Sequence, residues 1–305
     1  MVQFGPDVTL HPSRSGYSGI AERTRRRLYA TDRRPMTPIT PQTTPITQES
    51  VRATVRASPR VSVSIVSHGN AALVDALLAD LRRVLGASGA TELILTLNVP
   101  EPEPTALGDL PFAARVIRNP APRGFGANHN AAFRLARGEF FCVLNPDVRL
   151  DDDPFEALID CLDEPGVAVA APQILSGDGR IEDSARRFPT PLSILGKALR
   201  RGEIRLDYPP ADRPFRPDWT AGMFMLFRSA AFREIGGFDE GYHLYYEDVD
   251  ICARLRRRGK GVVVTPAISV THQGDRRSRR DLRYLSWHLA SMARYFSRYP
   301  LGGPK

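Results

Sequence analysis

The amino-acid sequence predicts an α/β fold: a mostly parallel, Rossmann-like central sheet flanked by helices, with a disordered N-terminal tail and a C-terminal amphipathic helix. Three observations carry this reading. From Val61 onward, apolar runs and stretches of helical period follow the order β-α-β-β-α-β-α-β, the signature of a sheet with crossover helices. One run, Phe140-Phe-Cys-Val-Leu144, is apolar at every position, as a strand covered on both faces requires. The composition, 42% hydrophobic and 25% charged over 305 residues, is that of a chain with a real core.

The elements can be justified in order. Residues 1–58 form the tail, where three prolines and four threonines between Met36 and Ile46 leave no usable period. Residues 61–66 alternate like a strand, and 71–85 carry apolar residues on one helical stripe. Residues 92–97 and 115–118 read as the next strands, 127–137 as an Ala-rich helix, and 154–162 as a helix with proline in its first turn. Residues 167–171 are a further strand. The segment 178–217 is rich in loops and proline. Then come an apolar strand at 222–227, a short helix at 229–235, a helix opening at Glu247, and a strand at 261–264 that stops at Thr265-Pro266. The domain plan is a tail (1–58), a body (59–272) divided at 175/176, and a basic helical segment (273–305).

In that last segment the apolar residues at 282, 285, 289, 292 and 296 form one helix face, expected to dock on the body. Arg276, Arg277, Arg279, Arg280 and Arg283 precede or open the helix, with Tyr284, Trp287, Tyr295 and Tyr299 around it. Basic residues mixed with aromatics suit a peripheral contact with an anionic membrane surface.

Charge and cysteine content exclude several classes. The net charge is +8, but residues 1–60 hold ten arginines against four acids, leaving 32 basic and 30 acidic groups for the rest. The body is not a basic domain, which argues against a nucleic-acid partner. No apolar run reaches the length of a membrane-spanning helix, and no signal peptide is visible. Cys142, Cys161 and Cys252 lie in apolar segments and read as reduced core residues of a cytoplasmic protein.

Ligands of parallel sheets bind at the C-terminal strand ends. Here those ends carry Ser67-His68-Gly69-Asn70, Asn98, residues 119–123, and Asn145-Pro146-Asp147. A carboxylate delivered by a buried strand suits Mg2+ or Mn2+, although Asn-Pro-Asp is also ordinary turn chemistry. Arg123-Gly124-Phe125-Gly126 enters a helix and could bring backbone N–H groups to a phosphate, with Arg123 and Asn130 adding polar contacts; a plain turn before a helix is the simpler alternative. Glu247-Asp248-Val249-Asp250 puts three carboxylates in one helical turn. Partly these serve the helix dipole, and one of them, crowded by Tyr242, Tyr245 and Tyr246, suits general-base work. His272 follows the last strand and could contact phosphate or metal.

Taken in order, these motifs resemble the inverting family 2 glycosyltransferases of GT-A fold, and within them the rhamnosyltransferase-like branch of bacterial cell-surface polysaccharide synthesis. The resemblance spans about residues 59–298. It is most specific from Trp219-Thr-Ala-Gly222 through Gly236-Gly-Phe-Asp-Glu240 to Glu247-Asp-Val-Asp250 and Arg254.

The resemblance implies a nucleotide-diphospho-sugar, with dTDP-rhamnose the first choice, bound by the 59–175 half through Ser67, His68, Asn98, Arg123, Gly124, Asn130 and Asn145. It implies a divalent metal at Asp147 and His272, and Asp248 as the base, with Glu247 as its substitute. Trp219 and Asp239 would shape the acceptor side in the 176–272 half, and the acceptor would be a glycan or a polyprenyl-diphosphate-linked glycan. The sequence departs from the family at Asn145, where the first acid of its D-x-D motif stands, and at Leu97, where the second strand ends in Asp in many members. Another donor sugar (N-acetylglucosamine, galactose or mannose) and a non-catalytic binding module are the alternatives.

Overall fold

The computed structural model describes residues 58–86, 90–199, 206–274 and 282–304. The expected tail, apart from its last residue, and the arginines at 276, 277, 279 and 280 lie outside them.

Four parallel strands open the body: β1 (Val61–Ser67), β2 (Thr91–Leu97), β3 (Ala113–Arg118) and β4 (Phe140–Leu144). They are joined by α1 (Ala71–Leu85) and α2 (Phe125–Phe133). Then follow β5 (Val148–Arg149), α3 (Phe155–Leu162), β6 (Val167–Ser176), β7 (Ala185–Arg186), α4 (Pro191–Leu199), β8 (Trp219–Thr220), β9 (Phe224–Arg228), α5 (Ser229–Glu234), α6 (Glu247–Arg257), β10 (Gly261–His272) and α7 (Leu282–Arg298). The main sheet has eight strands in the order β3-β2-β1-β4-β9-β6-β10-β5, and β7 pairs with β8 in a separate ribbon. Only β9 and β5 run antiparallel to their neighbours in the main sheet.

Period-two alternation explains the two core layers. Phe140, Cys142 and Leu144 of β4 face the layer that holds Val74, Leu77, Leu78 and Leu81 of α1 and Leu158 of α3. Phe141 and Val143 face the layer built from Phe232, Phe238, Ile251, Leu255 and Tyr295. All three cysteines are buried free thiols. Each fully buried leucine or phenylalanine contributes about 1.5–3 kcal/mol, so these layers hold the strand ends rigidly.

Three expectations need correction. The strand beginning at Gly261 does not stop at Pro266. A register shift between Thr265 and Ser269 absorbs the proline, and β10 resumes against β6 as far as His272. Proline lacks the N–H for a regular ladder, so it sits at the irregularity instead of ending the strand. The loop-rich segment 178–217 contains β7 and α4. Finally, α7 docks with a different face. Ser291, Tyr295 and, just past the helix, Tyr299 are buried, whereas Leu282, Leu285 and Leu289 are exposed. The aromatic stripe wins because the body offers matching ring partners and ion pairs, described below. Met292 and Phe296 of the expected face do pack on the core. No helix among the described residues is long and apolar enough to cross a membrane.

Candidate active site

The ends of β1, β2 and β3 are knit by a ladder of amides. Asn119 Nδ2 donates to Oδ1 of Asn98 at 2.8 Å and to Oδ1 of Asn128 at 2.7 Å. Asn98 Oδ1 also accepts from the Arg123 N–H at 2.8 Å, and its Nδ2 donates to the Arg123 carbonyl at 3.0 Å and lies 3.1 Å from His68 Nδ1. Ser67 is buried and donates to Glu101 at 2.9 Å, while His68 is exposed beside it. The glycine segment is therefore held by its own backbone. The Phe125 N–H donates to the His243 carbonyl at 2.9 Å, and a Cβ on Gly124 would stand 2.7 Å from that same oxygen. Two N–H groups expected for a phosphate, those of Arg123 and Phe125, are already used. The glycine permits a close backbone approach of residue 243.

Beyond β4, the Asn145 N–H donates to the Met223 carbonyl at 2.9 Å, which orients the Asn-Pro-Asp turn. The next strand is fastened by Asp80 of α1, whose carboxylate accepts from Arg149 at 2.7 Å and from the Leu150 N–H at 3.2 Å. Burial alone would raise the Asp80 pKa, but these donors outweigh it and hold it below its ordinary value. Asp147 is half-buried, and its Oδ2 lies 3.3 Å from His272 Nε2. Its Oδ1 is buried without a hydrogen-bond partner. On the far side of the imidazole, Nδ1 is 3.1 Å from Glu182 Oε2.

A carboxylate oxygen left without a donor, next to an imidazole oriented by a second carboxylate, fits a divalent metal. Among the described residues no group of three His, Cys, Asp or Glu side chains encloses an ion by itself.

The second carboxylate group opens α6. Tyr245 and Tyr246 both adopt left-handed backbone, at φ 69° and 66°. Two consecutive bulky residues there store strain, of order 1–3 kcal/mol each, which the surroundings must hold. Glu247 is buried, and its Oε2 has no hydrogen-bond partner. Burial first, then the adjacent Asp248 charge, push its pKa well above the ordinary carboxylate range. Asp248 is half-buried and accepts from the Gly222 N–H at 3.1 Å and the Val249 N–H at 2.8 Å. Burial raises its pKa too, opposed by these N–H groups and by the charge of Arg186 on β7. Of the pair, Glu247 is the better placed to keep its proton and Asp248 to ionise. Asp250 is fully buried in ion pairs with Arg254 at 2.6 Å and Arg298 at 3.1 Å, a scaffold role.

The strained turn is gripped by α7. Ser291 Oγ donates to the Leu244 carbonyl at 2.8 Å. Trp287 packs on His243, His288 on Tyr245 and Tyr246, and Tyr295 on Tyr246.

Three residues expected at the substrate serve the scaffold in this structure. Asn130 accepts from the Phe238 N–H and donates to the Phe238 carbonyl, both at 2.9 Å. Trp219 is buried, donates its indole N–H to the Arg187 carbonyl at 2.9 Å, and lies under the Arg186 guanidinium. Asp239 receives Arg294 in three hydrogen bonds and pairs with Arg298 at 2.6 Å. Sequence reasoning passed over Glu182, Arg186 and Asn128. The first two lie in a segment without period, and Asn128 had no signal beyond its place in the glycine segment.

The chain is similar in sequence and fold to known proteins. A glycosyl transferase family 2 model matches residues 105–235. The rhamnosyltransferase WbbL of Escherichia coli is 30% identical over 187 residues, covering 57% of this chain and 70% of the relative. The chain belongs to glycosyl transferase family 2. An N-acetylglucosaminyl-diphospho-decaprenol L-rhamnosyltransferase of Mycobacterium tuberculosis is 32% identical to this glycosyltransferase over 154 residues, 47% of the chain but only half of the relative's length. Among solved structures, a mannosyltransferase from Pyrobaculum calidifontis, in complex with GDP-Man and Mn2+, superposes with a TM-score of 0.53 at 17% identity, covering 78% of this chain and 65% of that one. TarS of S. aureus gives 0.51 at 15% identity, covering 70% of this chain and 37% of that one. The fold of the enzyme is that of GT-A glycosyltransferases.

Proposed function

We propose that this enzyme transfers a rhamnosyl group from dTDP-rhamnose to a polyprenyl-diphosphate-linked glycan, with inversion and in one displacement. The observation that carries the reading is that residues 222 and 223 link the start of the helix at Asp248 to the turn that carries Asp147. The printed activities of the two bacterial relatives support rhamnose and, for one of them, a decaprenyl-diphosphate acceptor.

In this mechanism the acceptor hydroxyl oxygen bonds to the anomeric carbon as the bond from that carbon to the diphosphate oxygen breaks. The electron pair leaves with the nucleoside diphosphate. Asp248, ionised and anchored by two backbone N–H groups, takes the hydroxyl proton. Glu247, buried and protonated, keeps a second negative charge away from the base. Asp147 and His272 would hold a divalent metal, with Glu182 orienting the imidazole. When bound, that metal supplies charge neutralisation at the leaving diphosphate. The amide ladder around Asn98 shapes the floor beneath the nucleotide.

The test is turnover of dTDP-rhamnose, UDP-N-acetylglucosamine, UDP-galactose and GDP-mannose with a synthetic polyprenyl-diphosphate glycan and Mg2+ or Mn2+. The product anomer is read by NMR. Transfer from dTDP-rhamnose with inversion is expected. Preference for another donor would replace the sugar assignment. Hydrolysis and transfer of none would favour a non-catalytic binding module.

A further inference from the structure

Arg186 stands beside the catalytic turn with most of its hydrogen-bonding capacity unspent. In the β7–β8 ribbon it pairs with Trp219, which puts guanidinium and indole on one face. Its Cζ lies 5.3 Å from the centre of the Trp219 ring, and that ring is fixed in turn by its N–H bond to the Arg187 carbonyl at 2.9 Å. The Arg186 Nε–H donates to the Asp183 carbonyl at 2.6 Å and lies 3.1 Å from Asp183 Oδ2. Both contacts use Nε. The two terminal nitrogens make no hydrogen bond among the described residues, and the side chain is 36% exposed. By contrast, Arg294 and Arg298 are spent on Asp239 and Asp250.

Main chain ties this arginine to the proposed base. The Ala221 N–H donates to the Ser184 carbonyl at 2.9 Å, and the next N–H, that of Gly222, donates to Asp248 Oδ2 at 3.1 Å. Burial raises the pKa of Asp248 and of Tyr246, and the Arg186 charge opposes both shifts. Yet Arg186 forms no ion pair with Asp248; its carboxylate partner among the described residues is Asp183. The guanidinium is near enough for its field to reach the base, and its outer edge is left open.

We infer that Arg186 binds a phosphate group of the acceptor, beside the hydroxyl that Asp248 deprotonates. A planar fork held by Nε and by stacking, with both terminal nitrogens open, matches the paired oxygens of a phosphate. The same charge offsets the repulsion between an ionised Asp248 and an anionic acceptor. Position narrows the substrate class, on the proposed reading that the acceptor is linked to polyprenyl diphosphate. A phosphate this near the base must lie close to the attacking hydroxyl. That holds where the accepting sugar is itself bonded to the diphosphate, and fails where further sugars stand between them. Arg186 therefore selects a monosaccharyl diphosphate over a longer glycan.

The test measures binding to the full chain by calorimetry, with octyl N-acetylglucosaminyl diphosphate and the uncharged octyl N-acetylglucosaminide as probes. EDTA is present throughout, so that a metal at Asp147 and His272 cannot capture the diphosphate. The parent is expected to bind the diphosphate more tightly than the glycoside. Arg186→Gln should weaken the diphosphate on the order of 10- to 100-fold, the usual worth of hydrogen bonds to a charged group, and leave the glycoside nearly as it was. Arg186→Lys, which keeps the charge and loses the fork, should fall between the two. An equal loss for both probes would make Arg186 a structural residue and overturn the proposal. A diphosphate preference that survives in Arg186→Gln would overturn it too, while leaving the lipid-diphosphate acceptor in place. A parent without any preference would overturn both.

Discussion

The N–H of Gly222 donates to Oδ2 of Asp248 at 3.1 Å. The carbonyl of the next residue, Met223, accepts the N–H of Asn145 at 2.9 Å. One dipeptide before β9 therefore couples the start of α6 to the turn that carries Asp147. The link runs through the main chain of residues 222 and 223, with the Asp248 carboxylate at one end and the Asn145 N–H, two residues before Asp147, at the other.

Replacing Asp248 by Asn is expected to keep donor affinity and to lower kcat about 10²–10⁴-fold, the usual contribution of a general base. The amide keeps an oxygen for the Gly222 N–H and gives up only the local acceptor of the Val249 N–H, so the fold should survive. Turnover within about tenfold of the parent would move the base role elsewhere.

Asp147→Ala is expected to abolish the thermal shift that donor and metal produce together. Asp147→Asn should be nearly as damaging, because the charge of the carboxylate attracts the cation. A variant that still shows the parental metal-dependent shift would falsify the metal assignment.

Glu247 makes a pH-dependent prediction. Its pKa in the folded state is raised above the ordinary 4.5, by burial first and by Asp248 second. Its favourable contribution is thus present below that ordinary value and lost as pH rises toward the folded-state value. Gln mimics the protonated side chain at all pH. The stability of Glu247→Gln relative to the parent should therefore increase from about pH 5 to about pH 8 in urea melts. A constant difference would mean that Glu247 is ionised in the folded protein.

Asp239 behaves in the opposite sense. Burial works against its charge, but the Gly241 N–H and Arg294 and Arg298 outweigh burial and hold its pKa below 3.8. Its contribution is present above that value and lost as pH falls through the lower folded-state value. Asp239→Asn is expected to cost about 1–2 kcal/mol, since the pairs are partly exposed. It should also reduce kcat, because the same two arginines hold α7 against the catalytic turn. A stability loss with unchanged kcat would show that α7 does not position the turn.

Removing residues 1–57 should leave the melting temperature and donor-induced thermal shift unchanged, because β1 begins at Val61 and the body carries both core layers. A drop of several degrees on truncation would show that the removed segment packs on the body.

By itself the sequence determined the sheet, the strand ends that carry Asn98 and Asp147, and the helix that opens at Glu247. Those features are local: period-two and helical apolar patterns and turn residues write them directly into neighbouring positions. Tertiary structure alone decided which polar residues are spent on the scaffold. Asn130 and Asp239 look as available in the sequence as Asp147, yet the first holds the Phe238 backbone and the second pairs with two arginines of α7. It also decided which stripe of α7 is buried. Leucines and aromatics both recur at helical spacing there, and the choice fell to the rings, because His243, Tyr245 and Tyr246 offer partners about fifty residues earlier in the chain. Glu182 reaches His272 across 90 residues from a segment with no period. Such pairings depend on how distant strands close on one another, and no window of sequence contains that information.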